Sequence, residues 1–156
     1  MHQTSMQLMT FFRETYLQDM KGASILDVGS FQCGPSPYPS YRDIFTSDYQ
    51  YTGMDIVPGL NVDIVGYENI VRQYDIVISG QVMEHVKRPW DWLKSLYPYY
   101  SKYICIIAPH TWIEHKHPFD TYRYFPDGMR DLFEYAGIRE ILIKKSKNDT
   151  MGIGGK

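Results

Sequence analysis

The chain carries only two cysteines in 156 residues, Cys33 and Cys105, too few for a disulfide scaffold. Cys105 falls in an apolar run that reads as a buried strand, so both are expected to be reduced thiols in a cytoplasmic protein. No stretch approaches the roughly 20 apolar residues of a membrane-spanning helix. The segment Met1-His2-Gln3-Thr4-Ser5 lacks the basic region and apolar block of a signal peptide. Excess charge is missing as well. Sixteen Lys and Arg against 18 Asp and Glu leave a net charge of −2, which gives no global field for nucleic acid or anionic membranes. No internal repeat or linker is visible. The abundant residue is tyrosine, 14 in all, suited to aromatic surfaces and loops or to core filling. With 44% apolar residues, the length fits one domain over 1–156 with one real core.

Hydrophobic spacing orders the chain. Leu8, Phe11, Phe12 and Tyr16 predict an amphipathic helix over 4–20, closed by Lys21-Gly22. Short buried strands are expected at Ile25–Val28, Tyr51–Ile56, Val62–Val65 and Tyr74–Ser79. The fourth is almost wholly apolar, as in a parallel sheet covered on both faces. Three prolines in 32–40 forbid regular helix there, and Tyr41–Phe45 suits a helical turn. Pro89 starts a helix with Leu93, Leu96 and Tyr97 as its buried stripe. A strand follows at Tyr103–Ala108. Pro126-Asp127-Gly128 opens a helix with Met129, Leu132, Phe133 and Ala136 on one face, and Gly137 stands at its left-handed cap. Arg139–Lys144 alternates as a last strand. The polar, Gly-rich tail 145–156 is expected to fray, which leaves a full seventh strand in question. Alternating strands and helices over 24–144 predict a three-layer, doubly wound, mostly parallel α/β sheet.

Ligands of such sheets bind at the carboxyl ends of the strands. Asp27-Val28-Gly29 lies at one such end, where Gly29 lets backbone pass close to a ligand and Asp27 can accept from a cationic group. Asp55 ends the second strand, where a carboxylate can take both ribose hydroxyls. Each feature alone suits an ordinary turn. Their combination with the third motif, 74–86, points to a nucleoside. A dinucleotide cofactor is disfavoured, because Ser30-Phe31-Gln32-Cys33-Gly34-Pro35 breaks the Gly-x-Gly-x-x-Gly spacing that cradles pyrophosphate.

Ile25-Leu26-Asp27-Val28-Gly29-Ser30 and Gly53-Met54-Asp55-Ile56 resemble the first two motifs of class I S-adenosylmethionine-dependent methyltransferases. The run from Tyr74 through Ser79-Gly80-Gln81 to Val86 is similar to the post-strand-four motif of their type 11 branch. Ile106–His110 and His117–Met129 resemble a subgroup encoded with glycan-modifying genes. The resemblance implies S-adenosylmethionine as cofactor, held by Asp27, Gly29, Ser30, Asp55, Ile56, Ser79, Gly80 and Gln81. It implies methylation of a small or glycan-like acceptor, at oxygen. The chain departs from the family in its proline-bearing loop after Gly29, in Gly66-Tyr67 where an acid often stands, and in lacking the Lys-Pro-Gly-Gly turn before strand five.

His85, His110, His115 and His117 map to loops on the ligand face, where imidazole serves as base or metal ligand. His85 or His110 is the expected catalytic base, with His117, Tyr122 and Arg123 against the acceptor. Trp112, Phe119, Tyr122 and Tyr124 suit either an acceptor wall or a packed lid. Gln81-Val82-Met83-Glu84-His85 resembles a metal-binding Glu-x-x-Glu-His run of RNA 2′-O-methyltransferases with one carboxylate missing. Glu84, His85, His117 and His110 are the candidates for a divalent ion, but no metal is assigned. The competing reading is a catalytically silent subunit of the same fold acting through a protein partner. A membrane role is not expected, and nucleic acid is disfavoured.

Overall fold

The computed structural model describes residues 3–34, 39–45 and 48–156. Two of the prolines noted in the 32–40 segment, Pro35 and Pro37, lie outside the described residues. The elements are α1 (Gln3–Tyr16), β1 (Ser24–Val28), α2 (Tyr41–Ile44), β2 (Gln50–Asp55), β3 (Ile64–Val65) and β4 (Tyr74–Gly80). They continue with α3 (Pro89–Ser95), β5 (Tyr100–Pro109), α4 (Pro126–Ala136), β6 (Arg139–Lys145) and β7 (Asp149–Gly155). The sheet runs β3-β2-β1-β4-β5-β7-β6. Strands β3, β2, β1, β4 and β5 pair in parallel, and β7 pairs antiparallel with both β5 and β6. The strand order reverses at β1 and β4, so the ends of these two strands diverge and leave a crevice.

Two-residue periodicity sends neighbouring side chains to opposite faces. Ile25, Ile76, Ile78, Cys105, Ile107, Met151 and Ile153 meet Leu8, Met9 and Phe12 of α1 on one side. Leu26, Val28, Val77, Ile104 and Ile106 meet Trp92 and Leu93 of α3 and Met129, Phe133 and Ala136 of α4 on the other. These two apolar layers make the expected three-layer sandwich. Gly137, at φ 72°, caps α4 in the left-handed region as its position predicted.

Three details differ from the sequence reading. Helix α1 stops at Tyr16, short of residue 20. Tyr97 is not part of the buried stripe of α3; it is 39% exposed on a separate 3-10 turn, Tyr97–Tyr99. The largest correction concerns the tail. Residues 149–155 do not fray: they form a fully buried strand inserted between β5 and β6. The glycines that made the tail look like coil serve close packing. A Cβ on Gly152 would come within 2.6 Å of the Phe133 ring, so α4 can lie on β7 only where the side chain is missing. The sheet is therefore seven-stranded and complete. Among the described residues, no helix is long and apolar enough to cross a membrane.

Candidate active site

A cavity of about 260 Å³ opens at the crevice. Its walls come from the end of β1 (Asp27, Gly29, Ser30), the end of β4 (Gly80, Gln81) and Tyr41 of α2. His85, His115 and His117 also line it.

The β1 end is built for close approach. Gly29 has φ 86°, and a Cβ there would overlap the Val82 side chain. Its N–H donates to the Met54 carbonyl at 2.8 Å, and Ser30 N–H joins the same carbonyl at 3.0 Å. Ser30 Oγ donates to the Asn61 carbonyl at 3.0 Å. Asp27 is 4% exposed and accepts a hydrogen bond from the Tyr51 hydroxyl. Burial is the main reason its carboxyl is pushed up from 3.8 to about 7; Tyr51 and Arg42 pull it down, and Asp55 pushes it up. A cation arriving in the cavity would ionise it.

Asp55 sits where expected, at the end of β2, but like Ile56 it is outside the cavity lining, and much of its capacity is taken. Oδ2 accepts from Phe31 N–H at 3.1 Å, and Oδ1 from Ile56 and Val57 N–H at 2.7 and 3.3 Å. A carboxylate has about four acceptor positions, so about one is left for a ligand hydroxyl. Ile56 beside it is 67% exposed and can cover an apolar ring.

The β4 end divides into two roles. Ser79 is 1% exposed and donates to the Val28 carbonyl at 2.6 Å, a tie between strands. Its hydroxyl holds the crevice walls together and does not line the cavity, which leaves its backbone alone for the expected role at the cofactor. Gly80 has no room for a side chain, since a Cβ would overlap the Tyr41 ring. Gln81 adopts φ 61°, which is uncommon without glycine and concentrates at functional sites. Its amide donates to Asp149 Oδ1 at 3.0 Å, while Oε1 is buried without a partner among the described residues.

The histidines separate. His85 donates from Nδ1 to the Phe119 carbonyl at 2.6 Å, which leaves its lone pair on Nε2. Burial lowers its pKa from 6.5 against the opposing effect of the carbonyl bond, so the neutral ring predominates near pH 7. Nε2 lies 3.7 Å from Oε1 of Glu84. Glu84 is fully buried and neither carboxylate oxygen has a hydrogen-bond partner among the described residues; burial pushes its pKa up to about 8. His115 and His117 stand around His85, with ring centroids 4.9 and 5.6 Å away. His110, the other expected base, is placed differently. Its ring is 6% exposed, Nε2 bonds the Ser146 carbonyl at 3.0 Å and Nδ1 the Thr111 hydroxyl at 2.7 Å. Both nitrogens are engaged, and His110 does not line the cavity.

Arg123 is engaged by its own loop. Its guanidinium clasps Asp120 and donates to the carbonyls of Trp112, Ile113 and Tyr122, so it fixes the 111–123 loop and leaves an anionic acceptor little to hold. Tyr122 is 39% exposed, edge-on to Trp90, and outside the cavity lining. Tyr124 is buried and donates to the Met83 carbonyl at 2.8 Å, while Trp112 and Phe119 are exposed. The aromatic set is thus neither a uniform wall nor a uniform lid. Tyr67 accepts from Trp92 Nε1 at 2.6 Å and packs against the core. The sequence reading missed Tyr41, Tyr51 and Asp120. The first two carry no motif, and Asp120 could have been paired with Arg123 only as an (i, i+3) couple.

No protein-family model matches the chain, and no curated protein matches it. Solved structures do. One is a SAM-dependent methyltransferase from Aquifex aeolicus, 19% identical over 96% of this chain and 92% of that one, with a TM-score of 0.65. Another is the N-terminal domain of EvdMO1, crystallised in the presence of SAH and D-fucose; it is 16% identical over 99% and 83% of the two chains, with a TM-score of 0.64. A third is a putative methyltransferase in complex with the Haloferax volcanii Trm112 activator, 12% identical over 97% and 91%, with a TM-score of 0.62. At such identities the likeness is one of fold. The chain has the Rossmann-like fold of class I methyltransferases.

Proposed function

We propose, for a chain of this fold, that the cavity binds S-adenosylmethionine and that the protein transfers its methyl group to an oxygen of a small or glycan-like acceptor. One observation carries the reading. Two acceptors on the cavity wall lack a full complement of donors: Asp27, whose ionised form is disfavoured by burial, and Gln81 Oε1, buried with no partner among the described residues. A ligand with a cationic amine and a sulfonium suits both. The absence of a pyrophosphate turn after Gly29 fits a cofactor without phosphates.

In this reading the Asp27 carboxylate and the Gly29 turn hold the methionine end. The remaining acceptor position of Asp55 takes a ribose hydroxyl, and Ile56 covers the adenine side. The backbone of Gly80 and Gln81 approaches the sulfonium from the β4 side. When bound, the cofactor supplies an electrophilic methyl for in-line displacement, so the chain mainly aligns reactants. His85 points its unprotonated Nε2 at the acceptor end, where the hydroxyl proton leaves. The D-fucose of the EvdMO1 structure supports a sugar-like acceptor. Cys33 and Cys105 are both free thiols, which fits a cytoplasmic enzyme. The silent-subunit alternative gains no support from a formed crevice with a buried acceptor open to a ligand.

The test is methyl transfer from labelled cofactor to a panel of free and nucleotide-linked sugars, with His85→Ala and Gly29→Val as variants. Gly29→Val should lose cofactor binding, and His85→Ala should keep it but lose turnover. Full turnover by His85→Ala would remove His85 from the acceptor end. No cofactor binding by the unaltered protein would overturn the reading.

A further inference from the structure

We propose that Glu84, His85 and His115 form a site for a divalent transition-metal ion such as Zn²⁺ at the acceptor end of the cavity. One donor atom from each of the three lies within 4.8 Å of the others. Two ligands about 2.1 Å from a tetrahedral ion stand roughly 3.4 Å apart, and Glu84 Oε1 is already 3.7 Å from His85 Nε2. Small side-chain adjustments therefore close the shell.

The strongest argument is Glu84. A buried carboxyl with no hydrogen-bond partner on either oxygen among the described residues is costly, and a ligand or ion that engages it relieves that cost. Arg123 acts on it electrostatically but is clasped by Asp120, and the imidazoles beside it carry no fixed charge; a metal ion would supply a direct partner. The second argument is the outer shell. Ligating histidines usually donate their other N–H to a carbonyl or carboxylate, which fixes the tautomer. His85 donates Nδ1–H to the Phe119 carbonyl, and His115 Nδ1 contacts the Ile113 carbonyl at 3.1 Å and Asp120 at 3.5 Å. The first arrangement leaves Nε2 of His85 facing Glu84. Asp120 is itself locked by Arg123 and accepts His115 N–H at 2.7 Å, so the loop presents His115 in a set position.

Imidazole with carboxylate selects Zn²⁺ and its first-row neighbours over Mg²⁺ and Ca²⁺, which prefer oxygen. Three protein ligands leave a position open, the arrangement of catalytic rather than structural sites. That position faces the cavity, since both histidines line it, and His117 stands at its rim with its ring 5.9 Å from His115. The sequence had put His117 in this role; the fold brings His115 closer. The ion's binding stands apart from the methyl-transfer reading, and only its role beside an acceptor oxygen rests on it. With the ion present, His85 acts as a ligand rather than as the base itself.

The test uses the chelator-treated full chain without cofactor, titrated with Zn²⁺ by calorimetry and loaded with Co²⁺ for visible absorption. The expected result is one ion per chain at micromolar Kd or tighter, with a visible Co²⁺ band of low coordination number. Glu84→Gln and His115→Ala should each weaken Zn²⁺ binding at least tenfold. Where Glu84→Gln perturbs folding by circular dichroism, the loop variant His115→Ala carries the comparison. No saturable Zn²⁺ binding, or wild-type affinity in His115→Ala, would overturn the site. Because no cofactor is present, either result leaves the cofactor reading to its own test.

Discussion

Replacing Asp27 with Asn should remove a defined slope from the pH dependence of stability. The folded-state pKa is about 7 against an ordinary 3.8, a rise of about 3 units caused chiefly by burial. At about 1.4 kcal/mol per unit this amounts to roughly 4 kcal/mol of linkage. The direction follows from the rise. The folded chain holds the proton more tightly than the unfolded chain, so the contribution is complete below pH 3.8 and is lost as pH climbs through about 7. Tyr51, Arg42 and Asp55 face the carboxyl, and all three remain in the variant. Asn keeps the shape and can still accept from Tyr51. Urea unfolding of both proteins at pH 4 to 8 and constant ionic strength isolates this group, because every other titration cancels in the difference. The variant should gain about 4 kcal/mol relative to wild type between the two extremes, with unchanged m-values. A flat difference, or one of opposite sign, would refute the burial argument. The same carboxyl should ionise when a cationic cofactor binds, so calorimetry at pH 6 in buffers of different ionisation enthalpy should register close to one proton released.

Gly152→Ala should destabilise by about 1–3 kcal/mol, because its Cβ meets the Phe133 ring at 2.6 Å, whereas Gly128→Ala, with nothing within 4 Å, should stabilise slightly; thermal melts compare them. Ser79→Ala should cost about 1 kcal/mol through the lost bond to the Val28 carbonyl while leaving cofactor Kd unchanged, measured on one preparation by unfolding and titration. Deleting residues 149–156 should abolish the cooperative unfolding transition, since β7 bridges β5 and β6 with Met151 and Ile153 fully buried; a surviving sharp transition would contradict that placement.

The parallel half of the sheet was legible because β1 and β4 are buried on both faces and, like β2, end in recognisable turns. Asp27, Gly29, Asp55, Gly80 and Gln81 all fall at strand ends, as their spacing predicted. The tail was misread because glycine in a strand and glycine in coil look alike along the chain; only Phe133 and Met129 lying over Gly152 tell them apart. His110 and His85 looked equivalent for a similar reason. One ring is capped on both nitrogens by Ser146 and Thr111, the other on Nδ1 alone, and these partners are distant or local in ways no motif records. Arg123 looked available for an anion because its clasp of Asp120 and three carbonyls depends on how the loop folds back.

The most direct measurement is calorimetric titration of the protein with S-adenosylmethionine and, separately, S-adenosylhomocysteine. Binding of both at micromolar Kd, one per chain, and its loss in Gly29→Val, is the predicted result. Failure of the folded protein to bind either ligand would contradict the account.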